Sequence, residues 1–88
     1  MKNEPENTMS LKMREPHFSQ VSNGKSLSTV RLNDRNYKVG LAIRFQLVSD
    51  KGVEDAYTNW FEITNVLDIS FVIHSKNIVL IDFKPFPF

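Results

Sequence analysis

Basic side chains are concentrated in the first half of this 88-residue sequence. Residues 9–45 contain seven Lys and Arg residues and two acidic residues, whereas residues 46–88 contain three basic and six acidic ones. A basic surface attracts anionic partners such as nucleic acid, because phosphates carry one negative charge each. The alternative is that the two halves intermix in the folded protein and their fields cancel. The small net charge, +1, does not decide between them.

Thr29 and Arg31 are two residues apart in a segment rich in β-branched and apolar residues, so their side chains share one face of a predicted strand. The planar guanidinium of Arg31 can hold a phosphate or a base edge. A threonine hydroxyl becomes a nucleophile only when a neighbouring base accepts its proton. The structural alternative for Arg31 is an ion pair with Asp34 or with another carboxylate of the fold.

Four aromatic residues could stack nucleobases beside these basic groups: Tyr37, Tyr57, Trp60 and Phe71. Core packing is the favoured interpretation for most of them. Trp60 shares an alternation face with Glu62 and Thr64, so it is the aromatic residue expected to be exposed. At the C-terminus, Phe and Pro alternate from Phe83 to Phe88, and we expect this segment to pack on its own domain.

The composition argues against several other classes of protein. The sequence has no Cys, and its two histidines, His17 and His74, lack a metal-ligand spacing, so we predict no metal site and no cofactor, with both histidines solvated. No stretch approaches the roughly 20 apolar residues of a membrane span, and residues 1–8 lack the apolar segment of a secretory signal. We therefore expect a cytoplasmic protein that does not interact with membranes.

Hydrophobic periodicity predicts one α+β domain that is mainly β. A first strand at residues 9–14 is followed by a short helix between Glu15-Pro16 and Asn23-Gly24. Further strands are expected at four segments: Leu27–Leu32, Val39–Leu47, Tyr57–Ile69 and Ile78–Ile81. About five strands and one helix in so short a chain favour a small closed or half-closed barrel. Residues 1–8 are expected to be a disordered tail, residues 9–84 the domain and residues 85–88 a Phe/Pro tail.

The pattern of residues 9–84 resembles the short ASCH-like domains of phage and prophage genomes, a PUA-like family. LKMREPHFSQVSNGK at residues 11–25 and STVRLNDRNYKVG at residues 28–40 carry the resemblance, and Asn33–Gly40 is its most specific part. Weaker likeness extends through residues 55–58 and 78–81. The matching positions are Gly24, Arg31, Asn33, Asp34, Arg35, Tyr37, Val39 and Gly40. The family's His, Lys, Glu and Asp fall on Met9, Ser26, Thr29 and Leu41.

The resemblance implies a β-barrel with a helix beside a cleft that binds RNA or a modified nucleobase. The residues expected to bind the ligand are Lys12, Lys25, Ser26, Thr29, Arg31, Arg35 and Tyr37. One relative is an amidohydrolase acting on an acylated cytidine, in which a Thr at the position of Thr29 resembles a nucleophile activated by the motif Lys. Here Ser26 stands at that Lys position, so Thr29 and Lys25 are weak catalytic candidates.

Three functions follow from these observations. The first is a degenerate ASCH/PUA-like binding module for RNA or a nucleotide. The second is a phage-encoded protein-interaction or regulatory factor, since the cleft residues are depleted and the C-terminus is rich in Phe. The third is a surviving amidohydrolase that uses Thr29. A binding function is expected rather than an enzymatic one.

Overall fold

The chain folds into six strands and two short helices within the part that the structure describes. The structure is a computed structural model, which describes residues 8–73 and 77–87. The elements are β1 (Thr8–Arg14), α1 (His17–Ser22), β2 (Ser28–Leu32), β3 (Ala42–Ser49), β4 (Gly52–Tyr57), β5 (Phe61–Asp68), α2 (Ser70–Ile73) and β6 (Ile78–Pro85). Neither helix is long and apolar enough to cross a membrane.

All six strands belong to one sheet, in which β1, β3, β5, β6 and β2 lie side by side and β4 pairs with β3. β1 is parallel to β3, and the other pairs are antiparallel. β5 pairs with the first residues of β3, and β4 pairs with the last residues of β3. Both strands therefore fit along the edge of β3 that β1 leaves open. Thr58 lies in the link between them and bonds to both main-chain groups of Phe45, at 2.9 and 3.0 Å.

The sheet is open. β1 and β2 are its two end strands, and among the described residues they are not paired with each other. The mainly β class expected from the sequence is confirmed, but closure into a barrel is not shown. Residues 8–73 and 77–87 form six strands rather than about five, and α2 is a second helix that the sequence pattern did not predict.

The core lies on the inner face of the sheet, where α1 covers it with Phe18 and Val21. Three phenylalanine rings meet at its centre: Phe83 lies 5.3 Å from Phe45 and 5.0 Å from Phe61 between ring centroids. These tilted and edge-to-face arrangements are the ones that aromatic quadrupoles favour. The other core side chains come from β1, β3, β5, β6 and the loop after β2: Leu11, Met13, Tyr37, Ile43, Ile63, Val79 and Ile81.

α1 is bounded by side-chain and main-chain hydrogen bonds at its two ends. The Glu15 carboxylate accepts from the main-chain N–H and the hydroxyl of Ser19, at 2.8 and 2.6 Å. At the other end Gly24 has a φ of +82°, and the N–H groups of Gly24 and Lys25 donate to the main-chain oxygens of Val21 and Gln20. These are the two hydrogen bonds of a Schellman motif, which needs the left-handed conformation that glycine adopts without strain.

The strand expected from Val39 begins later, at Ala42. Gly40 has a φ of +97°, and the N–H of Leu41 donates to the main-chain oxygen of Lys38, so a turn replaces extended chain there. Val39 is consequently exposed. Because apolar residues alternate on both sides of this turn, their spacing predicted one continuous strand and did not indicate the turn.

The long strand expected over Tyr57–Ile69 is wrong in two respects. The chain leaves extended structure at residues 58–60, which separates β4 from β5. In β5 a bulge between Ile63 and Asn65 shifts the register against β6. An extra residue in one strand reverses which side chains face the core. Val66 therefore packs against the core, and Leu67 lies outside at 51% exposure instead of beside Ile63.

The two ends of the domain differ by a residue from the expected boundaries. Thr8, assigned to the disordered tail, begins β1 opposite Ala42. Pro85, assigned to the C-terminal tail, ends β6, where it has only β5 beside it because pairing with β2 ends at Asp82. A strand with a single neighbour tolerates proline. The N–H of Phe86 then donates to the main-chain oxygen of Trp60. Residues 1–7 and Phe88 lie outside the described residues.

We expect Phe45→Ala to lower the free energy of unfolding by about 3–5 kcal/mol, because it leaves a cavity between the rings of Phe61 and Phe83. Val39→Ala is the control, since this side chain is 64% exposed and its truncation should change stability by less than about 0.5 kcal/mol. Urea unfolding followed by circular dichroism measures both. Equal losses for the two variants would contradict the arrangement of the core.

Candidate functional site

A cleft of about 300 Å³ opens between the two end strands of the sheet. Its walls are β1, β2 and the loop that follows β2. The lining residues are Ser10, Leu11, Lys12, Arg31, Leu32, Asp34, Arg35 and Tyr37. The cleft thus unites four of the seven predicted binding residues: Lys12, Arg31, Arg35 and Tyr37.

Arg31 spans the gap between β1 and β2. Its Nη2 donates to the main-chain oxygen of Lys12 on β1 at 2.6 Å, and its guanidinium carbon lies 5.7 Å from the centre of the Phe45 ring. The hydrogen bond that holds Arg31 goes to a main-chain carbonyl, so neither an ion pair with Asp34 nor one with another carboxylate accounts for the position of its side chain. A guanidinium has five N–H donors. Only one of them has a hydrogen bond to another described residue, so the group is fixed in place and retains donors for a ligand.

The environment of Arg31 is partly desolvated. Burial lowers the pKa of Arg31, Tyr37 and Asp34 raise it, and the like charge of Arg35 lowers it again. The guanidinium nevertheless stays charged, as arginine does throughout proteins. Lys12, Arg31 and Arg35 face a single carboxylate, Asp34, among the residues that line the cleft. The cleft is therefore suited to an anion.

Tyr37 forms the inner wall of the cleft and is part of the core, with 6% of its surface exposed. Burial raises the pKa of its phenol, and the nearby Arg31 charge opposes this shift. The side chain is consequently a neutral phenol at physiological pH, able to donate or accept a hydrogen bond. Its buried position agrees with the core interpretation of this residue.

The turn after β2 holds Tyr37 and Arg35 against the cleft. The Asn33 side-chain oxygen accepts from the main-chain N–H of Tyr37 at 3.3 Å, and Asn36 has a left-handed φ of +53°. These are the conformations that Asn adopts in turns, as the sequence predicted. Arg35 Nη1 donates to the main-chain oxygen of Ser10 at 3.3 Å. The turn is thus structural, but it also brings a second guanidinium to β1.

The other three predicted binding residues do not line the cleft. Thr29 is on the inner face of β2, as expected from its spacing with Arg31, but it is buried opposite Ile81. Lys25 is exposed on the loop after α1. Among the hydrogen bonds of the described residues, none joins Thr29 to Lys25 or to another base. Ser26 hydrogen-bonds the main-chain oxygen of Ser28 at 3.4 Å instead.

His17 is half-buried, which corrects the expectation that it is solvated. Its Nε2 lies 3.2 Å from the main-chain oxygen of Ser28 and 3.4 Å from Ser26 Oγ. α1 carries the ring to the start of β2, so the histidine ties the helix to the sheet. His74 lies outside the described residues. Within residues 8–73 and 77–87, no three His, Asp or Glu side chains are grouped as metal ligands.

A second basic and aromatic cluster lies on the outer face and was missed from the sequence. Arg44 stacks 3.9 Å from the ring centre of Tyr57 and 4.8 Å from that of Trp60, and its Nε donates to Ser10 Oγ at 3.0 Å. Trp60, the aromatic residue expected to be exposed, is half-buried under this arginine. Phe71, for which core packing was favoured, is the most exposed aromatic side chain among the described residues. Ser10 joins this cluster because the pairing of β1 with β3 places it opposite Arg44.

We expect the stability of the protein to fall at alkaline pH because of Tyr37. A phenol whose pKa is raised by folding contributes stability below the ordinary tyrosine pKa of about 10, and that contribution is lost as the pH rises through the folded pKa. Tyr37→Phe should therefore flatten the alkaline decline of the free energy of unfolding, measured by urea titration from pH 8 to pH 11. Tyr57→Phe is the control, because Tyr57 is exposed; an identical change in both variants would contradict the role of burial.

We also expect Arg31→Lys to destabilise the protein by about 1–2 kcal/mol, because a lysine loses the hydrogen bond across the gap and the contact over Phe45. Arg35→Lys makes the same chemical change at an exposed residue with a longer bond and should cost about 0.5 kcal/mol or less. Urea unfolding at neutral pH compares the two. A smaller loss at Arg31 than at Arg35 would show that the bridge is not structural.

Comparison of the sequence with models of known protein families gave no match, and comparison with curated proteins gave none. The likeness of residues 9–84 to the ASCH family therefore stays a prediction.

Proposed function

We propose that this chain is a degenerate ASCH/PUA-like domain that binds RNA or a nucleotide in the cleft between β1 and β2. The observation that carries the proposal is the pair of guanidinium groups, Arg31 and Arg35, that reach across the open gap of the sheet. Both lie where the main chains of β1 and β2 leave room for a ligand. In this proposal the open sheet is the wall of a PUA-like barrel.

The charge of the cleft supports an anionic ligand. Arg31 is anchored by one hydrogen bond and has further N–H donors in a planar fork that fits two oxygens of a phosphate or two acceptors of a base edge. Arg35 and Lys12 are more exposed and can approach a phosphate from the rim. The neutral phenol of Tyr37 supplies a polar group and a ring at the inner wall.

The size of the cleft supports one nucleotide rather than a longer buried segment. Its volume of about 300 Å³ is at the lower end of the range for small-molecule pockets. A longer RNA would place one nucleotide in the cleft and leave its neighbours in solvent. Affinity for RNA is then expected to be modest and to depend on salt, because few phosphates are neutralised.

The positions that match the ASCH pattern support the same site. Asp34, Arg35 and Tyr37 belong to the segment most similar to the family, Arg31 is a further matching position, and all four line the cleft. The catalytic alternative has less support. It requires a base at Thr29, which is buried on β2 without such a partner among the described residues.

We expect a labelled eight-nucleotide single-stranded RNA to bind in fluorescence anisotropy, and the affinity to fall about five- to twentyfold between 50 and 200 mM salt, as for two or three phosphate contacts. Arg35→Ala should weaken binding at least fivefold and reduce the salt dependence by about one contact. The measurement is a titration of each variant at both salt concentrations.

Lys51→Ala is the matched control, since it removes the same charge from the exposed β3–β4 turn, away from the cleft. It should change the affinity by less than about twofold. Absence of binding at 50 mM salt would refute the proposal. Equal losses from Arg35→Ala and Lys51→Ala would show general attraction by the basic surface instead of a site.

A further inference from the structure

The outer surface of β2, β6 and β5 carries a group of apolar side chains that the core does not explain. Leu80 lies opposite Val30 on one side and Leu67 on the other, and Leu32 lies opposite Ile78. We call these five residues the outer apolar face. Val30, Leu32 and Leu67 are 54%, 53% and 51% exposed, although leucine and valine are usually buried.

Two structural features create this face. The bulge in β5 turns Leu67 outward and places it beside Leu80. At the end of the face, Ser70 Oγ accepts from the main-chain N–H of Ile78 at 2.9 Å, which holds α2 next to it. α2 contributes two more exposed apolar residues, Phe71 and Val72.

The next row of the same surface is polar. Asp82 lies opposite Ser28 and Asn65, and Asn65 Nδ2 lies 3.4 Å from the Asp82 carboxylate. Beyond it, Lys84 and Glu62 form an ion pair at 3.8 Å. An apolar centre with a polar rim is the anatomy of a protein interface. The rim carries both signs of charge, so a copy of this face can meet another without net repulsion.

The exposed apolar side chains of this face lie together on one surface, whereas exposed apolar residues that are scattered singly are common on proteins. With Phe71 and Val72 of α2, five apolar side chains on this surface are more than half exposed. A stable dimer of standard size buries ~800 Å² on each partner, so its interface would include the polar rim as well. Interfaces between identical subunits are also the most apolar class.

We propose that the outer apolar face is where a second copy of this chain docks, face to face, in a two-fold dimer. Two sheets can stack with their side chains interdigitated at a separation of about 10 Å. In a two-fold arrangement the same patch serves both subunits, so Lys84 of one copy can approach Asp82 or Glu62 of the other. The cleft is next to this interface, because Leu32 belongs to both. The inference does not depend on the cleft binding RNA.

The test is sedimentation equilibrium of the full chain from about 1 to 200 µM. We expect the wild type to be dimeric over the upper part of this range. Val30→Lys and Leu67→Lys, on different strands, should each raise the dimer dissociation constant at least tenfold, because a charge is buried in an apolar contact. Two positions are used so that a folding defect in one variant leaves the other informative; circular dichroism checks both.

Val53→Lys is the matched control, because Val53 is 51% exposed but lies on β4, away from the outer apolar face. It should leave the dimer unchanged. A wild type that is monomeric at 200 µM would overturn the proposal. This is also the result expected if a different protein binds to the face. A dimer that resists both Val30→Lys and Leu67→Lys, or that is equally weakened by Val53→Lys, would overturn it as well.

Discussion

The hydrogen bond between Arg31 and the main chain of Lys12 joins the two ends of an open sheet. Among the residues that the structure describes, β1 pairs only with β3 and β2 only with β6, so each presents an unpaired edge to the other. Unpaired strand edges are sites of aggregation unless they are covered, charged or filled. Here two guanidinium groups reach the β1 edge, at Lys12 and Ser10. Because Arg31 and Arg35 reach across from β2 and the loop after it, the same arrangement puts positive charge at the unpaired edges and leaves a gap the size of a small ligand.

This arrangement explains why one residue type serves both structure and the proposed function. A lysine would present a single ammonium group, whereas an arginine can bond to β1 and still offer donors to a ligand. Burial beside Tyr37 and Phe45 keeps the Arg31 fork in one orientation. A fixed orientation reduces the entropy lost on binding, which favours the proposed binding of an anionic ligand.

The two faces of the sheet have different roles because the strands keep different registers. On the inner face, Phe45, Phe61 and Phe83 form a packed centre covered by α1. On the outer face, Leu67 and Leu80 are side by side only because β5 contains an extra residue. Without that bulge, Leu67 would lie on the same face as Ile63. The bulge thus places the Leu67 side chain on the exterior and the Val66 side chain against the core.

Much of the local structure was predictable because it depends on neighbouring residues. The strand at residues 9–14, the glycine that ends α1 and the Asn-rich turn after β2 each follow from spacing or from a preferred backbone conformation. The bulge in β5, the turn before β3 and the helix α2 were not predictable. In those places apolar alternation continues while the chain changes direction, and only partner strands decide the outcome.

The candidate site shows the same division. The sequence indicated that Arg31 faces inward with Thr29 and that Arg35 lies in a turn. It did not indicate that β1 would stand across from both arginines, since that depends on β1 pairing with β3, more than 30 residues away. Nor did it bring Arg44 between Tyr57 and Trp60, which lie on separate segments.

Residue types and short-range spacing were sufficient to predict the mainly β class, the turns that need glycine or asparagine, and the excess of positive charge in residues 9–45. The open sheet, the side chains that line its gap and the exposed patch of leucine and valine were not predictable in this way. Strand order and register set these features, and both depend on contacts between residues far apart in the chain.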